Sequence, residues 1–317
     1  MKYVVYECGI HGTLSGGLGD RLIGIFSSLA MAIAIDAKFY IKWHDPDISP
    51  YFDYEKHDYM KQVGITGSSR QYTNHGIESL CDICSTKNIH DFFDCEILYF
   101  NTNQNMVHAL CKNPRFATKL GDYESFTKKI YKSLFSEYLK PRPVILEKVN
   151  EFVDDTQKTV GIQLRFGDHF MNSDRVQINR PGNDYPLGMN GFAIMPIIQY
   201  IIQTYPEHRI FVTSDVDVKK TIDQYIPDNT IVYFNMVPTH IERSVDKSGI
   251  IKSFVDFLCL SKCDTLYITL KSNFGRCAAL VNKNDHVNAI YLKNNGQISH
   301  KKPSILELSC KSHISTD

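Results

Sequence analysis

The stretch Val160-Gly161-Ile162-Gln163-Leu164-Arg165-Phe166-Gly167-Asp168 decides the fold. It begins as a core strand and ends as a charged loop. Val160, Ile162 and Leu164 alternate onto one apolar face, and Gly161 lets a neighbouring segment approach the backbone closely. The apolar run stops at Arg165, and Gly167 supplies a bend before Asp168. An arginine at the carboxyl end of a buried strand needs an anionic partner. Its planar fork suits a pair of phosphate oxygens, and the carboxyl edge of a parallel sheet is where such ligands bind. A structural Arg–Asp ion pair would satisfy the same residues, so the stretch alone leaves both readings open.

Outward from this strand, the second half of the chain is regular. Strands are expected at Val160–Arg165, Arg209–Thr213, Thr230–Phe234, Thr265–Leu270 and Val287–Leu292. Helical periodicity separates them at Phe192–Tyr205, Val216–Tyr225, Ile250–Lys262 and Phe274–Val281. Strands alternating with helices of this length predict βαβ units and a parallel, doubly wound sheet. Such a sheet gathers its strand ends on one edge. That edge then holds Arg165 and Asp168, Ser214 and Asp215, and Lys271, Ser272 and Asn273. A serine hydroxyl and helix N-terminal amides opposite Arg165 would form a cradle for a pyrophosphate. Ser214 and Ser272 also suit plain N-caps, since serine is favoured there in any protein.

Asp256 interrupts an otherwise apolar helix, and a buried carboxylate requires partners. Guanine, which presents two adjacent N–H donors, is one such partner. A helix-surface pairing with Lys252 or Lys262 is the other.

The first half opens with a strand at Tyr3–Cys8, a loop with five glycines from Gly9 to Arg21, a helix from Leu22 and a strand at Lys38–Trp43. The helix N-terminus after that loop can hold an anion, but neither G-x-G-x-x-G nor G-x-x-x-x-G-K-[ST] is present. A tight turn that merely packs helix on strand is the plain alternative. From His44 to Gly121 only Glu96–Phe100 reads as a strand. A helix over Tyr123–Leu139 and the prolines at Pro141 and Pro143 follow. These prolines mark the expected domain boundary, giving 1–142 and 143–317.

Composition bounds the function classes. The 317 residues exceed a single domain of ~100–150 residues, and a hydrophobic content of 43% supports a real core. Lys+Arg and Asp+Glu both number 35, so no global basic field points to nucleic acid. The run Leu22–Ile35 is shorter than the ~20 residues that span a bilayer, and Met1–Glu7 lacks the character of a signal segment. Nine cysteines suggest a reducing cytoplasm and free thiols. Cys81-x-x-Cys84, near Cys95, Cys111, His75 and His90, supplies one close pair where zinc ribbons show two. No metal site is expected.

Four motifs together resemble a known family. Gly-Gly-Leu-Gly-Asp-Arg-Leu (16–22), Gln-Leu-Arg-Phe-Gly-Asp (163–168) and Thr-Ser-Asp (213–215) are the first three. The fourth runs from Val255-Asp256 through Leu260-Ser261 and Asp264 to Ser272 and Arg276. In order and spacing they are similar to the α1,2/α1,6/O-fucosyltransferases, most of all the α1,6 enzymes. The resemblance implies a GT-B fold, two Rossmann-like domains facing a cleft. It implies an inverting, metal-independent transfer of fucose from GDP-β-L-fucose to a glycan acceptor, with no cofactor besides the donor. Carried over by position, Arg165 would bind the β-phosphate, Asp256 the guanine and Ser272 the phosphates. Asp215 and Arg276 would shape the donor pocket, with Gln163, Ser214, Asn273 and Phe274 around it. Gly17, Gly19, Asp20 and Arg21 would approach the diphosphate. Gln163 replaces the histidine often found in the family, and Phe166 a second basic residue. The Arg175–Tyr185 segment, with Arg180, Asn183 and Asp184, has no aligned counterpart.

An inverting transfer needs a base for the acceptor hydroxyl. Asp168, His169 and Asp174 are the titratable groups just past the phosphate loop. Asp174 is the first choice; Asp168 would otherwise orient Arg165, and His169 would contact the acceptor. A transferase for another GDP- or UDP-sugar, and an inactive nucleotide- or glycan-binding module, are the remaining readings.

Overall fold

The computed structural model describes residues 2–10, 16–56, 60, 64–73, 80–85, 94–165, 194–215, 231–236, 241, 249–292 and 298–309. The chain divides into two compact units, Met1–Arg142 and Pro143–Asp317. Among the described residues, no helix is long and apolar enough to cross a membrane.

The first unit runs β1 (Tyr3–Cys8), α1 (Leu18–Ala34), β2 (Lys38–Trp43), β3 (Phe52–Tyr54), β4 (Ser69–Thr73) and α2 (Leu80–Ser85). It continues with β5 (Ile97–Asn101), α3 (Val107–Lys112), α4 (Pro114–Leu120), α5 (Tyr123–Ser133) and β6 (Leu139–Pro141). Its main sheet has the order β2-β1-β5-β4, all parallel. Helix α1 starts four residues earlier than its apolar periodicity suggests. Asp20 in its first turn accepts the Gly17 amide at 3.2 Å, which caps the exposed N–H end and suits the helix dipole. Gly19, Asp20 and Arg21 therefore belong to the helix and not to the glycine loop. Gly24, in the middle of α1, lets the helix lie directly on the sheet. A Cβ there would sit 2.1 Å from the Thr102 carbonyl oxygen and 2.3 Å from the Tyr6 ring.

The single helix expected over Tyr123–Leu139 is broken. After α5 comes a π-helical turn, Leu134–Tyr138, and then β6, which pairs antiparallel with β3. The residue before a proline avoids the helical region, so Lys140 ahead of Pro141 is held extended. Arg142 then ties the end down through Asp53, at 2.6 and 2.9 Å.

The second unit runs α6 (Pro143–Phe152), β7 (Thr159–Leu164), α7 (Ile194–Thr204), β8 (Arg209–Ser214), β9 (Ile231–Val232) and α8 (Gly249–Lys262). Then follow β10 (Thr265–Ile268), α9 (Asn273–Val281), β11 (Val287–Leu292), β12 (Ile298–Lys301) and α10 (Ile305–Ser309). The sheet order is β12-β11-β10-β7-β8-β9, parallel except for the β11–β12 pair. Strand β12 is short and polar on the sheet's edge and carries no periodic signal. The expected helix Val216–Tyr225 lies outside the described residues.

β7 is buried along its whole length. Val160, Ile162 and Leu164 pack with Ile197, Ile198 and Ile201 of α7 on one face. On the other face, a Cβ at Gly161 would meet Cys263 Sγ at 2.8 Å and Leu260 at 3.1 Å, so the glycine is what lets α8 close on the strand. Pairing sets Gln163 beside Thr213 on β8 and beside Ile268 on β10. Arg165, Asp215 and Thr269 consequently emerge at one edge.

Candidate functional site

The edge is held together by one residue the sequence did not flag. Thr269, fully buried, follows β10 and reaches across to β7. Its hydroxyl donates to the Gln163 carbonyl at 3.3 Å and accepts the Arg165 amide at 3.1 Å. Its own amide faces the Gln163 carbonyl at 3.1 Å and the Gln163 side-chain Oε1 at 3.3 Å. Gln163 is thereby locked against the start of α9, where a Cβ on Gly275 would lie 2.3 Å from its Oε1. A side-chain amide fixed in this way is rigid scaffold for the strand end.

Arg165 takes its position from this lock and its charge partner from β8. Its Nε stands 3.4 Å from Asp215 Oδ2. The Asp215 side chain is only 2% exposed, whereas 20% of the Arg165 side chain stays accessible. A carboxylate so deeply placed would cost several kcal/mol without a cation, so the pair orients the guanidinium while leaving part of it open to a ligand. Ser214 pairs in register with Leu164 at the same level. On the β10 side, Ser272 is the N-cap of α9: its Oγ accepts the Gly275 amide at 3.3 Å. The α9 amides carry the positive end of the helix dipole. The cap reading of Ser272 and its place on the Arg165 edge are thus both observed.

Other sequence-selected residues of this unit face inward. Arg276 is 2% exposed, with Nη1 on the Glu307 carbonyl at 3.4 Å and Nη2 on Asn273 Oδ1, so it braces α9 against α10. The Phe274 ring packs edge-on against Phe257 of α8, 5.6 Å between centroids. Asp256 is buried at 3% exposure, not on the helix surface. Its Oδ2 accepts from Thr213 Oγ1 at 2.6 Å and from Lys252 Nζ at 2.8 Å, while its buried Oδ1 has no hydrogen-bond partner among the described residues. Burial raises the carboxyl above the ordinary aspartate value, and Lys252 and Thr213 hold back part of that rise. Asp168, His169 and Asp174 lie outside the described residues.

In the first unit, Arg21 is 1% exposed. Its Nη1 donates to the Asp45 carbonyl at 2.7 Å, its Nε to the Gly16 carbonyl at 3.3 Å, and its guanidinium lies 5.0 Å from the Trp43 ring centroid. The cation fastens the glycine loop from inside. Asp20 caps Gly17 and also accepts from Asn103 at 3.3 Å. Cys81 and Cys84 contact the Asn105 carbonyl and Met106 Sδ, and both are free thiols.

No protein-family model matches the sequence, and no curated protein is significantly similar to it. Solved structures are similar in fold. An Arabidopsis thaliana FUT1 variant in complex with GDP superposes with a TM-score of 0.58 at 15% identity, covering 92% of this chain and 71% of that one. NodZ α1,6-fucosyltransferase soaked with GDP-fucose gives 0.53 at 13% identity, covering 96% and 99%. POFUT1 in complex with GDP gives 0.51 at 12% identity, covering 91% and 97%. With its two parallel-sheet α/β units, the chain has the fold of the fucosyltransferases.

Proposed function

We propose that the chain is an inverting, metal-independent fucosyltransferase that moves fucose from GDP-β-L-fucose to a hydroxyl of a glycan acceptor. The observation that carries this reading is Arg165, oriented by buried Asp215, on the same sheet edge as the Ser272-capped start of α9. That edge belongs to a chain with the fold of enzymes solved with GDP and GDP-fucose. The finer reading of the fold, a GT-B enzyme with a doubly wound donor domain at 143–317 and an acceptor domain at 1–142, goes with it. Eight described free cysteines suit a reducing cytoplasm.

As the sugar–phosphate bond breaks, negative charge grows on the departing GDP and the sugar becomes oxocarbenium-like. Arg165 and the α9 amides meet that charge with donors already in place, the arrangement that lowers a barrier most. Gln163 and Thr269 keep the β7 end from moving, and Ser214 and Asp215 hold the neighbouring rim. In the first unit, Gly17, Gly19 and Asp20 shape the start of α1 as an anion-binding helix end, with Arg21 acting through the loop it fastens. Arg276, Asn273 and Phe274 support α9 from within. The base that takes the acceptor proton would come from Asp174, Asp168 or His169.

A second reading has its own observation. Capture of guanine through two N–H groups needs a carboxylate edge open to the ligand, and Asp256 Oδ2 already holds Lys252 and Thr213. This favours one arm of the alternative, a same-fold transferase for a UDP-sugar, whose base makes no such demand. A thermal-shift panel of GDP, UDP, GDP-fucose and GDP-mannose separates the two. A ligand at 100 times its Kd stabilises by about 2.7 kcal/mol. Stabilisation by GDP-fucose together with enzymatic GDP release supports the first reading; a UDP preference sinks it, and a shift with no turnover leaves a binding module.

A further inference from the structure

Strand β2 is an outer strand of the first unit's sheet, and its two sides differ. The Lys38 and His44 amides donate inward, to the Lys2 and Cys8 carbonyls at the two ends of β1, each at 3.0 Å. Alternate residues of a parallel strand bond to opposite neighbours, so Phe39 and Ile41 turn their N–H and C=O outward. At Ile41 the outer side is taken: its amide donates to the Glu55 carbonyl at 3.0 Å, and it bridges Lys56 in parallel. Beside Phe39 the chain has turned away, since Tyr54 belongs to β3 and pairs with Leu139 of β6. A cleft of about 710 Å³ is left there, lined among others by Leu29, Ile33, Lys38, Phe39, Glu55 and Tyr138.

This opening has what an added strand needs. Phe39 offers a main-chain donor and acceptor, and among the described residues neither is taken on the outer side. Unpaired main-chain groups on a sheet edge are a template for another extended chain. The floor beside them is apolar, built from Leu29 and Ile33 of α1 and from the Phe39 ring, edge-on to Tyr138 at 5.9 Å. Side chains of an added strand alternate between faces, so every second one would enter this floor. Exposed Lys38 stands at one end of the cleft, and exposed Glu55, opposite Ile41, at the other. Neither has an ion-pair partner among the described residues, so an incoming chain with an acid and a base would answer both. A second copy of β2 carries lysines as its only charges and brings no acid. The cleft lies at the amino end of β2, whereas the glycine loop is fastened at the other end, through Arg21 on Trp43.

We propose that the outer edge of β2 at Phe39 docks an extended peptide segment of a partner protein by strand addition. The segment carries apolar side chains at alternate positions, an acid at the Lys38 end and a base at the Glu55 end. The docking site is independent of the transferase reading.

The test selects phage-displayed random octapeptides against the full-length chain. Enriched sequences are then measured as labelled synthetic peptides by fluorescence anisotropy. Alternating apolar residues flanked by opposite charges are expected. Ile33→Lys, which puts a cation on the apolar floor, should weaken binding about 10-fold or more. Lys38→Glu should weaken it about two- to five-fold at low salt. Lys38 is exposed, so this variant locates the site should Ile33→Lys fail to fold. N-methylating the peptide one amide at a time should cost about 10-fold at alternate positions only. The proposal is overturned when no peptide is enriched, when the folded variants bind within about 1.5-fold of wild type, or when the N-methyl series shows no alternation. Dimers in sedimentation that Ile33→Lys abolishes would give the edge to a second copy and overturn it as well.

Discussion

Replacing Arg165 by alanine takes the cation from the rim beside Asp215, whose carboxylate lies 3.4 Å from the lost Nε and is 2% exposed. Two costs follow, and they can be measured apart. Breaking a buried pair from one side costs about 3–5 kcal/mol; because a fifth of the Arg165 side chain is accessible, the lower end applies. Loss of one pre-placed donor to developing negative charge costs about 2.7–4 kcal/mol in the transition state, a 10²–10³-fold fall in rate. Arg165→Lys keeps the charge but not the planar fork, so it should recover most of the stability and little of the rate. Adding Asp215→Asn to Arg165→Ala should likewise restore stability alone. The assay is GDP release from GDP-fucose with and without glycan, with folding checked by circular dichroism. A folded Arg165→Ala chain with kcat/KM within about threefold of wild type would refute the reasoning.

Lys252→Met should destabilise the second unit by about 3–5 kcal/mol by leaving Asp256 buried with no cation, and Lys252→Met with Asp256→Leu should regain most of it; denaturant titration of both variants decides. Gly275→Ala should cost about 1–3 kcal/mol and weaken nucleotide binding, since its Cβ would displace the Gln163 amide from Thr269; melting with and without GDP reads both effects. Burial alone would raise the Glu7 carboxyl, but hydrogen bonds from Lys42 and His44 outweigh it and hold it below the ordinary glutamate value. With the folded value depressed, the stabilisation is present above the unfolded value of ~4.3 and disappears as pH falls through the folded one. Melting temperatures on an acid series should therefore drop less steeply for Glu7→Gln than for wild type.

The strands and helices that carry the rim were legible because their signals are local. β7 announces itself by alternation ending in Arg165, and α8 and α9 by their periodicity and, for α9, the serine cap. What escaped is the pairing of distant polar residues. Thr269 looks like any β-branched strand residue, yet its partner Gln163 is 106 positions away. Thr213 and Lys252 look ordinary until Asp256 is brought between them. Arg21 and Arg276 stand in motifs that read as ligand contacts, and a sequence does not say which way a guanidinium turns. In the fold both meet backbone carbonyls in the interior. The π-helical turn at Leu134–Tyr138 escaped for another reason: the apolar spacing of α5 continues through it, and only the prolines ahead hint that the helix cannot.

The contacts of Thr269 with Gln163 and Arg165 close loops of more than a hundred residues. Local segments form quickly, whereas bringing such distant strands together is slow and comes late. The rim is thus among the final parts of the second unit to assemble, and no fragment ending before Thr269 can contain it. A nucleotide that grips the rim would favour the finished unit over any partly folded chain, so ligand added during refolding should raise the yield of native protein.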